Sequence, residues 1–242
     1  MPDYSRPEDF DTYWQQVCHG LATLPIAAEE EHLPIRSTEF CDCYTVRFTS
    51  IGPYRLFGYL SIPKGNGPFP TLLLGPGYHS VVDPLPQGDA NEKRGRFLIF
   101  SIAGRGQRNA DVPFAALFPG LMTEGIDAPE TYIFRGIAAD WLRGVDYLLT
   151  RPEVDRSRLA LVKHDDLPLL TAALRPQVTH IVAAPGRFYA AHERTPEEVS
   201  DYLRLFPEKR APVFRTLSYF EPLLFAPAVR AKTLMWGDPK GM

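Results

Sequence analysis

PETYIFRGIAADWLRGVDYLLTRPEVDRSRLAL, residues 129–161, carries two structural periods in one run. Tyr132, Ile133, Ile137, Trp141, Val145 and Leu148 recur at helical spacing, so a long amphipathic helix is predicted from Pro129 onward. Through 150-TRPEVDRSR the period changes, and 159-LALV is a continuous apolar run of the kind found in strands covered on both faces. A short helix over 168–174, the strand 180-HIVAA and a last apolar run, 233-TLMW, follow. Upstream, 71-TLLLG and 97-FLIFSI are again buried-type strands. Before them, 33-LPIRSTEF, 42-DCYTVRFTSI and 55-RLFGYLSIP form a predicted antiparallel meander, with Gly52-Pro53-Tyr54 as the second turn. The chain opens on PEDFDTYWQQVCHGLA, where Phe10, Tyr13, Trp14, Val17 and Leu21 predict an amphipathic helix over 7–22. Antiparallel strands followed by strand–helix alternation predict an open, mostly parallel α/β sheet flanked by helices, in one domain over 1–242.

The composition, 45% hydrophobic and 23% charged over 242 residues, suits a globular fold with a sizeable core. With 26 basic and 29 acidic residues the formal charge is -3, which argues against nucleic acid or an anionic membrane as a partner. The N-terminus has neither a basic region nor an apolar core of signal type, and no window reaches membrane-spanning length. A cytoplasmic protein is expected. Cys18, Cys41 and Cys43 match no zinc or redox spacing. Cys41 and Cys43 are expected to point from one sheet face as small apolar side chains, and no metal or cofactor is expected.

The PEDFDTYW opening, Gly104-Arg105-Gly106-Gln107, the block 120–161 and 217-LSYFEPLLFAP together resemble the acetyl xylan esterase and cephalosporin-C deacetylase family of α/β-hydrolases. The match runs in order along nearly the whole chain. The resemblance implies removal of acetyl groups from small acetylated sugars or alcohols. It also implies a Ser/His/Asp triad, with the serine in a G-x-S-x-G elbow, an oxyanion hole of main-chain N–H groups, and homo-oligomers, commonly hexamers.

The functional positions depart from that pattern. After 159-LALV the elbow reads Lys163-His164-Asp165-Asp166-Leu167, which puts Asp165 at the serine position and bulky Lys163 and Leu167 where a strained elbow needs glycine. Asp165 reads as an exchanged nucleophile or, with Asp166, as an acid capping the next helix; the glycine-free flanks favour the cap. The resemblance leaves Asp238 as the only candidate for the triad acid, and no histidine follows it. A His79/Ser80 dyad is disfavoured because sequence neighbours rarely face each other as nucleophile and base. His192-Glu193 reads as the approach to a solvated helix at 196-PEEVSDYLRLF. By resemblance, Tyr78 supplies one oxyanion N–H, and the second falls to Asp166, whose carboxylate opposes a developing negative charge. Arg105 and Gln107 are expected to brace the loop after 97-FLIFSI.

The expected protein is therefore an α/β-hydrolase lacking the last strand and helix, with impaired carboxylic ester hydrolase chemistry. Two alternatives stand beside it. One is an active esterase with a nonstandard or shared site, and the other is a non-catalytic subunit assembling with an intact paralogue.

Overall fold

The computed structural model describes residues 6–82, 91–108, 110, 116–184 and 186–235. α1 (Phe10–Thr23) buries Phe10, Tyr13, Trp14, Val17 and Leu21, the stripe read from the sequence. β1 (Glu29–His32), β2 (Cys41–Ser50) and β3 (Tyr54–Pro63) form an antiparallel meander. β4 (Phe69–Leu74), α2 (Asn91–Arg96), β5 (Leu98–Ala103), α3 (Ile133–Leu149) and β6 (Val154–Lys163) follow. After them come α4 (Leu167–Leu174), β7 (His180–Ala183), α5 (Glu197–Leu205), α6 (Arg210–Ser218), α7 (Pro222–Phe225) and β8 (Lys232–Met235). The sheet order is β1-β2-β3-β5-β4-β6-β7-β8. Pairings from β5 through β4, β6 and β7 to β8 are parallel, and those on the β1 side are antiparallel. The mixed, helix-flanked open sheet agrees with the α/β expectation.

One predicted strand is corrected. The run 33–40 is not a strand; a 3-10 turn occupies Pro34–Arg36, and the edge strand lies earlier, at Glu29–His32. Pro34 has no N–H to give to a ladder, which favours a turn there. β1 has the sequence EEEH with every residue exposed, so it carries no apolar alternation to read. Its ladder to β2 is reinforced by ion pairs from Arg55 to Glu29 at 3.0 Å and from Arg151 to Glu30.

Register places Leu73, Phe100, Leu161 and Ile181 side by side on one face of the sheet, and all four are buried. α3 crosses this face, with Gly144 against Leu73 and Ile102 and the Tyr147 ring 4.9 Å from Phe100. α3 is buried almost all round, at Phe134 and Leu142 as well as along the predicted stripe, because α1 packs over it. On the opposite face Leu72, Ala160, Val162 and Val182 are only half-buried. The reading of these strands as covered on both faces therefore holds for one face and only in part for the other. Cys41 and Cys43 are both buried thiols packed with Ile99, but the apolar expectation holds only in part, since Cys43 Sγ accepts a hydrogen bond from Arg94 Nη2 at 2.8 Å.

α1 belongs to the core. Trp14 lies 5.5 Å from Phe220 and 5.4 Å from Phe225, its Nε1 donates to Tyr219 O at 3.0 Å, and the Tyr13 hydroxyl donates to Pro129 O at 2.8 Å. Burying such rings while satisfying their polar tips is what makes aromatic residues strong core anchors.

Candidate functional site

The C-terminal ends of the parallel strands bring the site residues together. β6 ends at Lys163, and the turn 164–166 leads into α4. Lys163, Asp165 and Asp166 are 6%, 6% and 3% exposed, so the turn points its charges inward. The Lys163 Nζ pairs with Asp165 Oδ2 at 3.0 Å, donates to Pro76 O, and lies 5.9 Å from the Trp141 ring. The other Asp165 oxygen accepts the Leu167 N–H at 3.0 Å. Both carboxylate oxygens are thus engaged, one by a lysine and one by the first residue of α4.

Asp166 has a different environment. Its Oδ1 accepts the Gly186 N–H at 2.8 Å and its Oδ2 the Phe188 N–H at 3.0 Å, which ties the turn after β7 to the start of α4. Burial pushes its carboxyl up to about 6; the two N–H bonds and Arg187 pull the other way, and the Asp165 charge adds to the rise.

Tyr78 follows β4 through Gly75-Pro76-Gly77. Gly75 is required there: a Cβ would sit 2.3 Å from Trp141 Cζ2. The Tyr78 hydroxyl donates to Glu198 Oε2 at 2.8 Å, and the same oxygen accepts the Met122 N–H at 2.9 Å. Gly120 leaves room for this carboxylate, since a Cβ would meet it at 2.3 Å. The Arg187 guanidinium stands 4.1 Å over the Tyr78 ring. Burial, then the Glu198 bond and charge, raise the Tyr78 pKa, so its hydroxyl stays a donor. The structure thus links α5, the loop at 120–122, the turn after β4 and the turn after β7 around one point.

Arg105 makes a bidentate pair with Asp140 of α3, with Nε to Oδ2 at 3.0 Å and Nη2 to Oδ1 at 2.9 Å, and also donates to Ile51 O. Burial works against the guanidinium charge, but Asp140 outweighs it and raises the Arg105 pKa. The Gln107 N–H donates to Gly104 O at 3.3 Å, while its buried Oε1 has no hydrogen-bond partner among the described residues. The Arg108 N–H donates to Ser80 O at 2.9 Å, joining the turns after β4 and β5.

Other sequence candidates lie apart. Asp238 falls outside the described residues. His79 has a left-handed backbone (φ 49°) and meets the Tyr78 ring at 6.3 Å, with no hydrogen bond to the Ser80 side chain among the described residues. His192 Nε2 is 3.5 Å from Glu193 Oε1, in the turn before α5, where both line a cavity of about 300 Å³ with Tyr189 and Glu221. Among the described residues no group of His, Cys, Asp and Glu is arranged to hold a metal ion.

Sequence reasoning missed Glu198, Arg187, Asp140 and the inward turn of Lys163. Only the last had a signal: residues i and i+2 at a strand end can share a face, so a lysine two residues before an aspartate is poised to pair with it.

The acetyl xylan esterase (AXE1) family model matches residues 1–237. The chain belongs to this family. It is similar to acetyl esterase Axe7A of Xylanibacter ruminicola, 26% identical over 194 residues, or 75% of this chain and 44% of that protein. It therefore spans less than half the length of that curated relative. Among solved structures it resembles acetyl xylan esterase 1 from Thermoanaerobacterium sp. JW/SL YS485, with a TM-score of 0.82 and 25% identity over 95% of this chain and 78% of that one. An acetyl xylan esterase from Paenibacillus sp. R4 has the same fold, with a TM-score of 0.79 and 24% identity over 97% and 80% of the two chains. Family and α/β-hydrolase fold thus agree with the resemblance read from the sequence. No helix among the described residues is long and apolar enough to cross a membrane.

Proposed function

We propose that this acetyl xylan esterase homologue is impaired in ester hydrolysis, and that its site is held by ion pairs and hydrogen bonds rather than armed for catalysis. The observation that carries this reading is the engagement of Asp165 on both oxygens, by Lys163 Nζ and by the Leu167 N–H. A triad nucleophile needs a free oxygen with a base beside it. Both partners are engaged as donors to Asp165, so neither stands ready to take a proton from a nucleophile. A carboxylate is also the wrong nucleophile for an acetyl ester: it leaves a tetrahedral adduct far more readily than an alkoxide does, so the adduct returns to ester. The two buried thiols support a reducing compartment, which we take to be the cytoplasm.

The family sets the substrate class to be tried, small acetylated sugars and alcohols together with p-nitrophenyl acetate as a general probe. We expect no saturable turnover by the native chain and no acyl-enzyme in its mass spectrum. Asp165→Ser should stay inactive, because triad members act as a unit and one alone restores little. Saturable native turnover that disappears in Asp165→Asn would overturn the proposal and favour an active esterase with a reorganised site.

A further inference from the structure

Cys41 and Cys43 are 0% and 1% exposed, whereas Cys18 on α1 is half-buried and lines two neighbouring cavities. The smaller, of about 440 Å³, lies where α1, α3 and the end of α4 meet, and Arg143, Asp146 and Arg175 line it with Cys18. Arg175 holds Asp146 on both oxygens, with Nε to Oδ1 at 2.6 Å and Nη2 to Oδ2 at 3.0 Å. Its remaining nitrogen, Nη1, donates to Cys18 Sγ at 3.4 Å. Arg143 comes no nearer than 3.9 Å to the same carboxylate and gives its Nη2 protons to Leu21 O and Leu24 O.

Two guanidinium groups thus share Asp146, the one acid among the described residues that line this cavity, and a positive charge is left over. Arg143 marks where the deficit lies. Its side chain is 3% exposed, and its Nε has no hydrogen-bond partner among the described residues. Burial holds its pKa below the usual arginine value; Asp146 opposes the fall and Arg175 adds to it. A buried cation compensated only in part favours an anion beside it. The larger cavity, of about 590 Å³, adds an apolar wall from Trp14, Leu174 and Phe225, and its Arg6 and Asp11 cancel as an ion pair.

We propose that Cys18 is a modification site that captures small disulfides bearing carboxylates. The thiolate is the attacking species in such an exchange. Cys18 gives its proton to solvent, and its sulfur attacks one sulfur of the reagent. The new S–S bond forms as the reagent's own S–S bond breaks, and the other half leaves as a thiolate with the electron pair. The carboxylate of the half that stays supplies the anion that Arg143 and Arg175 lack. The proposal uses no residue of the esterase site and does not depend on ester hydrolysis.

Three aliphatic disulfides of different charge test it on the full chain: anionic dithiodipropionate, neutral hydroxyethyl disulfide and cationic cystamine. Peptide mass spectrometry locates each adduct, and each rate is divided by that of a short unstructured cysteine peptide with the same reagent. The folded chain should react at Cys18 alone. The normalised rate should be about tenfold higher for the anionic reagent than for the cationic one, the scale of one charge pair near a protein surface. At about 1 M salt, where screening acts over roughly 3 Å, this preference should shrink. Asp146→Asn removes the cluster's carboxylate and should widen it, Arg175→Gln should narrow it, and Arg175→Lys should keep it. Cys18→Ser should take up no reagent. No adduct at Cys18, adducts at Cys41 or Cys43 of the folded chain, equal normalised rates for the three reagents, or a preference unmoved by salt and by Asp146→Asn would each overturn the proposal.

Discussion

Lys163 and Asp165, which the sequence resemblance sets at the glycine and serine positions of an elbow, form a buried ion pair with side chains 5% and 8% exposed. Breaking such a pair from one side leaves an uncompensated buried charge, which costs more than the pair contributes to stability. Lys163→Met should therefore destabilise the fold by about 3 kcal/mol. Adding Asp165→Asn, which keeps an acceptor for the Leu167 N–H, should recover most of that loss. Urea denaturation of both single variants and the double variant measures the coupling; additive effects, within about 0.5 kcal/mol, would mean that the pair does not act as one. This geometry was half legible. A capping acid before α4 can be read from the sequence KHDDL, and Asp165 does accept the Leu167 N–H. For the inward lysine the i, i+2 spacing to Asp165 was the one signal, and it was outweighed because a lysine at a strand end reads as solvated until the burial of the whole turn is known. Glu198 was hidden for the same reason: it stands in the first turn of α5, where an acid needs no other explanation.

At the scale of elements, apolar periodicity was the reliable signal and its absence the source of error. α1, α3, β2 and β3 appear close to where their patterns put them, since each must bury one face or more to exist. β1 was missed, because four exposed polar residues held by backbone pairing and two arginines leave no apolar trace. α1 also yields a test. Phe10, Tyr13, Trp14, Val17 and Leu21 are all at most 5% exposed, and the Trp14 and Phe10 rings pack on Phe225, which is far along the chain. Fully burying a side chain of this size contributes about 1.5–3 kcal/mol, so losing five removes about as much as the whole net stability of a typical domain. Deleting residues 1–22 should give aggregated or unfolded protein. A soluble deletion variant that melts cooperatively would show the helix to be an accessory.

For the whole molecule, the question is what the sheet does at β8. On its inner side this strand pairs in parallel with β7, yet all four of its residues are exposed, Leu234 at 61% and Met235 at 53%. The adjoining sheet face is half-exposed at Val162 and Val182 as well. Among the described residues, β8 is the last strand of the sheet, and none of them pairs with its outer edge. An apolar strand edge that stays open favours pairing with another chain, and natural sheets usually blunt it with charge, proline or a covering element. Lys232 supplies one such charge at the start of the strand, but the Thr-Leu-Met that follows supplies none. Assembly into a closed homo-oligomer, as the family resemblance implies, would remove the liability, since closed symmetry satisfies every copy of the same surface. We expect light scattering to give a mass that is a multiple of the 27.2 kDa chain, with Leu234→Lys shifting the protein toward smaller species. A monodisperse 27.2 kDa species for the unaltered chain would refute both the assembly and the exposed-edge argument behind it.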